Sequence, residues 1–364
     1  MLNIFDYVNA TEIAAYIENL PTNKIPIFGS SLFPTKKMVG TDISWLKGRD
    51  GIPVAITPSN YDAKATLRER TGFGKVETEM AFFREAMRIG EKDRQEINKL
   101  LNHPNSNIAL PIIRNIFDDV NKLVEGVNVQ AEYMRMQLLQ YGRFEVSNMD
   151  KTARYKYDYN MSLEHQITTS TPWTNHAEST PVIDIIAACD KIEEDTGERP
   201  TRAVMNRTTF LEMIASDSIK KDLMVGVAAS SWSNLYMSED EARQYIERKT
   251  GVRIYVYSKK IGVLDEATLT PNMDSSTFVK LVDDYNVCLF PEGSLGNTWY
   301  GTTPEESDLM TGTSQAQVSI VNGGTAITTY KEVHPVNVNT VVSAVMIPSF
   351  ERINTVAVLK VHTA

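Results

Sequence analysis

Between residues 109 and 141 apolar side chains recur at helical spacing over a stretch far longer than an ordinary globular helix. Ala109, Ile113, Ile116, Val120, Leu123, Val127, Ala131, Met134 and Leu138 are separated by steps of three or four residues, which sets them on one stripe of an α-helix. About 30 residues at 1.5 Å each make a helix roughly 45 Å long, nearly three times the average. Pro111 is compatible with its first turn. The chain carries no second stripe of similar length, so the helix is not a bundle member. The pattern predicts a spine with sheets laid across it.

The flanking regions differ in character. Residues 1–33 form an arm: Thr11 is placed to cap a short helix from Glu12 to Asn19, Ile13, Ile17 and Leu20 make one narrow stripe, and Pro21 follows as a stop. So little apolar surface cannot fold alone, and the arm must lie on something else. Residues 34–76 hold short strand-like pieces broken by Gly, Pro and the turn Lys47–Gly51, a long two-stranded excursion. Residues 34–75 contain eight Lys/Arg against four Asp/Glu, a segment of +4 in a chain of net charge −9, which leaves −13 for the rest. Such a hairpin either docks on a copy of the acidic body or stays solvated within one subunit.

From Met80 to Leu101 the apolar positions Met80, Phe83, Met87, Ile97 and Leu101 are roughly helical, with Gly90 a weak point. Residues 143–177 read as strands and linkers. A helix starts at Ser179-Thr180-Pro181 and stops at Gly197, a strand runs from Arg202 to Met205, and Asn206 caps a helix through Ala215. Ser238-Glu239-Asp240-Glu241 is a capping-box sequence for a helix that ends at Gly251, and residues 252–257 follow as a strand. Alternating helix and strand over 178–290 describes a compact α/β unit. The last fifty residues are β: a hairpin turning at Asn322-Gly323-Gly324, then two β-branched strands broken by Pro348.

At 364 residues, with 42% apolar and 23% charged side chains, the chain has about two domains' worth of core and needs no disulfide staples. A net charge of −9 argues against a dedicated nucleic-acid binder. Cys189 and Cys288 sit in apolar runs and read as buried free thiols. The N-terminus lacks the basic flank and apolar run of a signal peptide, and no stretch approaches a membrane span.

The search for chemistry finds isolated histidines, no metal-ligand spacing, no phosphate loop and no nucleophile elbow; no metal or cofactor is implied. The carboxylate pairs Asp118-Asp119, Glu193-Glu194, Asp283-Asp284 and Glu305-Glu306 are candidates for acid/base work, but adjacent acids point to different sides of a helix or strand and read mostly as solvated faces. What remains is an arm, a basic hairpin, an unpaired long helix and separate α/β and β units, each leaving surface that another subunit could cover. Structural assembly is the favoured class.

The order of parts resembles the major coat protein of tailed bacteriophages, in the lambda-type coat family (capsid protein E) with the Hong Kong 97-like fold. The most specific local match is VCLFPEGSLGNTWYGTTPEESDLM at 287–310, where a strand leads into Pro291, Gly293, Gly296, Tyr300, Gly301 and Pro304. The passage around RAVMNRTTFLEMIAS is similar as well. The resemblance implies an α+β fold with residues 1–33 as N-arm, 34–76 as E-loop and 77–177 as peripheral domain with a spine helix at about 109–141. An axial α/β domain over 178–315 would follow, and strands at 316–364 would return to the peripheral sheet. It implies hexamers and pentamers closing into an icosahedral shell around double-stranded DNA, bound without sequence specificity. It further implies a separate scaffolding protein, a portal protein, a possible decoration protein, and a place in the virion after assembly in the host cytoplasm. The expected subunit contacts are Lys47, Arg49, Asp50 and Gly51 at the E-loop tip and Gly293, Gly296, Tyr300 and Gly301 in the axial segment. Lys36, Lys37 and Lys47 occupy the region where some relatives form a covalent crosslink. An encapsulin-like cellular shell is the alternative within the fold, and an α/β hydrolase using Asp283 and Asp284 the alternative outside it.

Overall fold

Asn9, and not Thr11, opens the first helix: its side-chain oxygen accepts the Glu12 amide at 2.9 Å and satisfies a donor the first turn would otherwise leave orphaned. The computed structural model describes residues 9–19, 28–47, 74–101, 110–147, 154–223, 238–262, 278–309, 316–332 and 337–362. The first elements are α1 (Ala10–Asn19), α2 (Phe28–Leu32), β1 (Thr35–Lys37), β2 (Asp42–Lys47), β3 (Gly74–Glu79) and β4 (Ala81–Ile89). Then come α3 (Glu91–Leu101), α4 (Leu110–Tyr141), β5 (Arg143–Ser147), β6 (Arg154–Asp158) and β7 (Gln166–Thr168). The α/β stretch comprises α5 (Pro181–Thr196), β8 (Arg202–Met205), α6 (Arg207–Ala215), α7 (Asp217–Leu223), α8 (Glu239–Thr250) and β9 (Arg253–Val256). Short strands β10 (Lys260–Gly262) and β11 (Phe278–Lys280) lead to β12 (Asn286–Phe290), β13 (Thr298–Tyr300) and α9 (Pro304–Leu309). The chain closes with β14 (Gln317–Val321), β15 (Thr325–Glu332), β16 (Asn337–Pro348) and β17 (Ala357–Lys360).

The described residues fall into two units. One draws on Met1–Trp45, Glu77–Met134 and Gly296–Ser349, the other on Leu46–Val76, Arg135–Leu295 and Phe350–Ala364.

The first unit is organised by β16, whose twelve residues are all buried. Its sheet runs β1-β13-β16-β15-β14, with β4 also paired to β16. Here the periodicity reading fails: the Met80 region is not helical throughout, because nine consecutive residues of β4, Ala81 to Ile89, pair antiparallel with Met346 to Val338. The spacing of Met80, Phe83 and Met87 is compatible with either element, and a backbone partner far along the chain decides. Gly90 marks the change from strand to α3. The stripe of α1 is real: Ala10, Ile13, Ala14 and Ile17 are buried, and the helix packs on β14 and β15. Tyr16 donates to Asp118 at 2.7 Å, and the Gly29 amide to Glu132 at 2.9 Å, so the arm is tied to α4 of its own chain.

The 32 residues of α4 match the expected spine. Val120, Val124 and Val127 keep the apolar stripe, while beyond Ala131 even Glu132, Arg135 and Gln140 are buried.

In the second unit five strands lie in the order β7-β17-β12-β8-β9, with α5 to α8 contributing to a core that includes Trp173, Ile185, Phe210, Met213, Ile246 and Leu289. The expected caps are in place. Asn206 accepts the Thr209 amide at 2.8 Å, and Ser238 and Glu241 form the reciprocal capping box of α8. Trp173 is fully buried and donates from Nε1 to Asp184 at 2.9 Å. One expectation is corrected: β17 does not follow β16 into the first sheet. It pairs antiparallel with β12 and parallel with β7. Ala357, Val358 and Leu359 are buried, and a continuous apolar run suits a strand covered on both faces.

Candidate assembly surfaces

The run carrying the family-like motif is divided between the units after Leu295. Its first part, β12, is buried along its whole length and leads into the turn Pro291–Leu295. Two guanidinium groups gather the carbonyls of that turn. Arg202 donates to Pro291 O through Nε at 3.1 Å and Nη2 at 2.6 Å, and to Gly293 O at 2.6 Å. Arg352 donates to Glu292 O at 2.9 Å and Ser294 O at 3.4 Å, and pairs with Glu198. A planar group with five donors is suited to collecting several acceptors at once. The turn is held from beneath while Glu292, Gly293 and Ser294 stay exposed.

Beyond Leu295 the contacts are between backbones. A β-carbon on Gly296 would lie 1.9 Å from the Ser349 carbonyl oxygen. Ser349 sends its amide to Asn297 O at 2.7 Å, and its hydroxyl accepts from Asn297 N and Trp299 Nε1, both at 3.1 Å. β13 pairs parallel with β1, Lys37 opposite Tyr300, and antiparallel with β16, Tyr300 opposite Met346. Tyr300 is 2% exposed, covered by the turn of the β14–β15 hairpin, where a β-carbon on Gly324 would come within 2.3 Å of it. A β-carbon on Gly301 would sit 2.5 Å from Gly40 O.

These placements sort the candidate contact residues. Gly293 is exposed on the clamped turn. Gly296, Tyr300 and Gly301 are buried within their own unit, and their spacing answers to close approach of strands inside the chain. Lys47 closes β2, and Arg49, Asp50 and Gly51 lie outside the described residues. Lys37 pairs with Glu306 at 2.5 Å, and Lys36 stands over the Trp299 ring at 5.4 Å. Arg202, Arg352 and Thr302 were not legible as site residues, since nothing local signals a partner 89 positions away in the case of Arg202 and Pro291.

The groups that could have supported catalysis serve as ties. Asp283 accepts from Tyr141, whose pKa is raised by burial and then by that hydrogen bond. Burial pushes Asp284 up, but Lys280 at 2.5 Å and Asn206 outweigh it and leave its carboxyl below the usual value. Glu305 is buried against Arg84 at 2.5 Å and Ser343 at 2.8 Å, Asp119 meets Lys122 and Glu193 meets Arg199. Burial pushes the Cys189 thiol up to about 11 and raises Cys288 as well, the opposite of a reactive thiolate.

The family model for phage major capsid protein E matches residues 9–361. Among solved structures, a prophage protein of Escherichia coli CFT073 described as its capsid protein is similar at TM-score 0.58 and 13% identity, over 98% of this chain and 99% of that one. A phage-related protein of Bordetella bronchiseptica RB50 gives 0.55 and 13%, over 97% of both, and the cyanophage A-1(L) capsid 0.50 and 11%, over 93% of both. No curated protein matches. At these identities the structures speak for the fold, which is Hong Kong 97-like; function comes from the family match. That match runs over nearly the whole length, and the chain therefore belongs to the phage major capsid protein E family, as a non-enzymatic structural component of the phage capsid.

Proposed function

We propose that copies of this chain form hexamers and pentamers that close into an icosahedral shell around the double-stranded DNA of a tailed phage. The family match across residues 9–361 is the observation that carries the reading. In the terms of the fold, residues 1–33 are the N-arm and 34–76 the E-loop. The unit built on β16 is the peripheral domain, and the unit containing β12 and β17 the axial domain. The exposed turn Glu292–Ser294, held by Arg202 and Arg352, is a preformed contact for a neighbouring copy, because a surface ordered in advance loses less entropy on docking. The E-loop tip, Lys47 to Gly51, is the second contact. The loop's +4 charge against an acidic body favours register and fast encounter over affinity, and many modest interfaces sum through multivalency. The shell takes up its DNA without sequence reading, assembles in the host cytoplasm with a separate scaffolding protein and a portal, and leaves its outer face open to a decoration protein.

The test is light scattering coupled to size exclusion, followed by electron microscopy, on the purified chain with and without a co-produced scaffolding protein. Rings of five and six or closed shells are expected. A monomer or dimer under both conditions overturns the reading, and closed shells loaded with an enzyme instead of DNA would move it to the encapsulin-like alternative.

A further inference from the structure

The Tyr300-Gly301 pair, buried within its own unit, stands against the root of the β2–β3 hairpin. Within the first unit β1 leads through a turn at 38–41 into β2, the chain leaves that unit after Trp45, and it returns at Glu77 through β3 and Met80 into β4. Three backbone–backbone hydrogen bonds and one to a side chain converge on that turn. Met38 N donates to Tyr300 O at 2.8 Å, Thr302 N donates to Gly40 O at 3.1 Å, and Met80 N donates to Thr41 O at 3.0 Å. Gly40 N donates to Thr302 Oγ1 at 3.2 Å, so Gly40 and Thr302 hold each other reciprocally. Gly301 is itself bound to β16, its amide donating to Val345 O at 2.9 Å. The β-carbon it lacks would stand 2.5 Å from Gly40 O, 3.0 Å from Val345 Cγ1 and 3.3 Å from Met80 Sδ. The outgoing turn, the returning Met80 and the central strand therefore meet at one residue with no side chain. Lys37, the last residue before the turn, is paired with Glu306 on α9.

We propose that Tyr300, Gly301 and Thr302 form a positioning clamp that sets where the β2–β3 hairpin leaves and re-enters the first unit, and through it the geometry at which copies assemble. The inference rests on the shell-forming function proposed above. Conformational freedom at the root would be multiplied along the hairpin, so a subunit that must join both five- and six-membered rings gains closure accuracy from a root held by short backbone contacts. Tyr300 supplies a carbonyl and is immobilised beneath Gly324. Gly301 provides the close approach, and Thr302 locks the turn from its far side.

The experiment compares full-length wild type, Thr302→Val and Gly301→Ala, each co-produced with the scaffolding protein. Hydrogen exchange is read over residues 38–41, and shell diameter by electron microscopy. Thr302→Val keeps the shape and removes one acceptor, so exchange at the turn should be about tenfold faster, as for loss of one hydrogen bond. Closed shells of wild-type diameter should fall at least about twofold, replaced by open or mis-sized particles. Gly301→Ala should act in the same direction and more strongly; if it does not fold, Thr302→Val decides. Faster exchange with an unchanged diameter distribution overturns the clamp, as does unchanged exchange. Absence of shells from the wild type overturns the assembly reading itself, which keeps the two failures apart.

Discussion

One continuous run of eighteen residues, Asn286 to Thr303, is secured in two opposite ways. In its first half, in the second unit, side chains do the holding: Arg202 and Arg352 reach the carbonyls of Pro291 through Ser294 and leave the turn's outer face free. In its second half, in the first unit, the missing side chains do the holding. Gly296 meets Ser349, Gly301 meets Gly40, and Gly324 meets Tyr300 at separations no β-carbon could share. A clamp of flexible side chains can yield and be rebuilt, whereas backbone pressed on backbone cannot, because close-packed interiors transmit strain instead of absorbing it. The same motif can therefore hold an exposed turn in one unit and a rigid foundation in the other.

That contrast should appear first in the glycines. Gly296→Ala forces a methyl against the Ser349 carbonyl oxygen and carbon, at 1.9 and 2.8 Å, and is expected to cost about 3 kcal/mol or more. Gly293→Ala has nothing nearer than Arg352 Nη1 at 3.7 Å and bears only the left-handed backbone at φ 85°, worth about 1 kcal/mol. Denaturant unfolding of the two variants checks the difference, and equal losses would break the comparison. Next in size is Arg352→Met, which keeps the aliphatic stem and loses the bonds to Glu292 O, Ser294 O and Glu198, an expected cost of about 2 kcal/mol. Amide exchange should then rise over 291–295 and stay unchanged over 35–41. Loosening of both segments would mean that the two halves are one device.

Smaller effects sharpen the picture within each unit. Glu305→Gln removes the charge facing Arg84 but keeps an acceptor for Ser343. Arg84 is half exposed, so the loss should be about 1 kcal/mol or less, and salt should shrink it. The least is a slope with pH. Burial raises the Asp184 carboxyl, with the Trp173 bond pulling the other way, so the folded state holds that proton more tightly than the unfolded chain. This contribution is fully present below the unfolded value near 4 and is lost as pH rises through the raised folded value. Asp184→Asn keeps an acceptor for Trp173, so the variant should gain on the wild type as pH climbs through that window. A stability difference constant across it would show that the carboxyl is not desolvated.

Several features were legible in the amino-acid order alone because their causes are local. The stripe from Ala109 to Leu138, read as a helix over about 109–141, specified α4 to within a residue or two of its observed ends. Asn206 and the Ser238–Glu241 pair announced α6 and α8, and Asn322-Gly323-Gly324 the β14–β15 hairpin. Caps, turns and helical periodicity act within a few residues, so they survive without knowledge of the partner. The family and its fold were also readable, through the order of parts and the glycine-rich run. Tertiary structure alone decided what a strand or a guanidinium would meet. Ala81–Ile89 is β because β16 pairs with it, β17 belongs to the second sheet because β12 and β7 accept it there, and Tyr300 is covered because a hairpin turn lies on it. Arg202 and Arg352 became visible only when their carbonyl partners, 89 and 60 positions away, were in place. Backbone pairing and close packing are satisfied by whichever distant segment arrives, and the local order of residues does not name that segment.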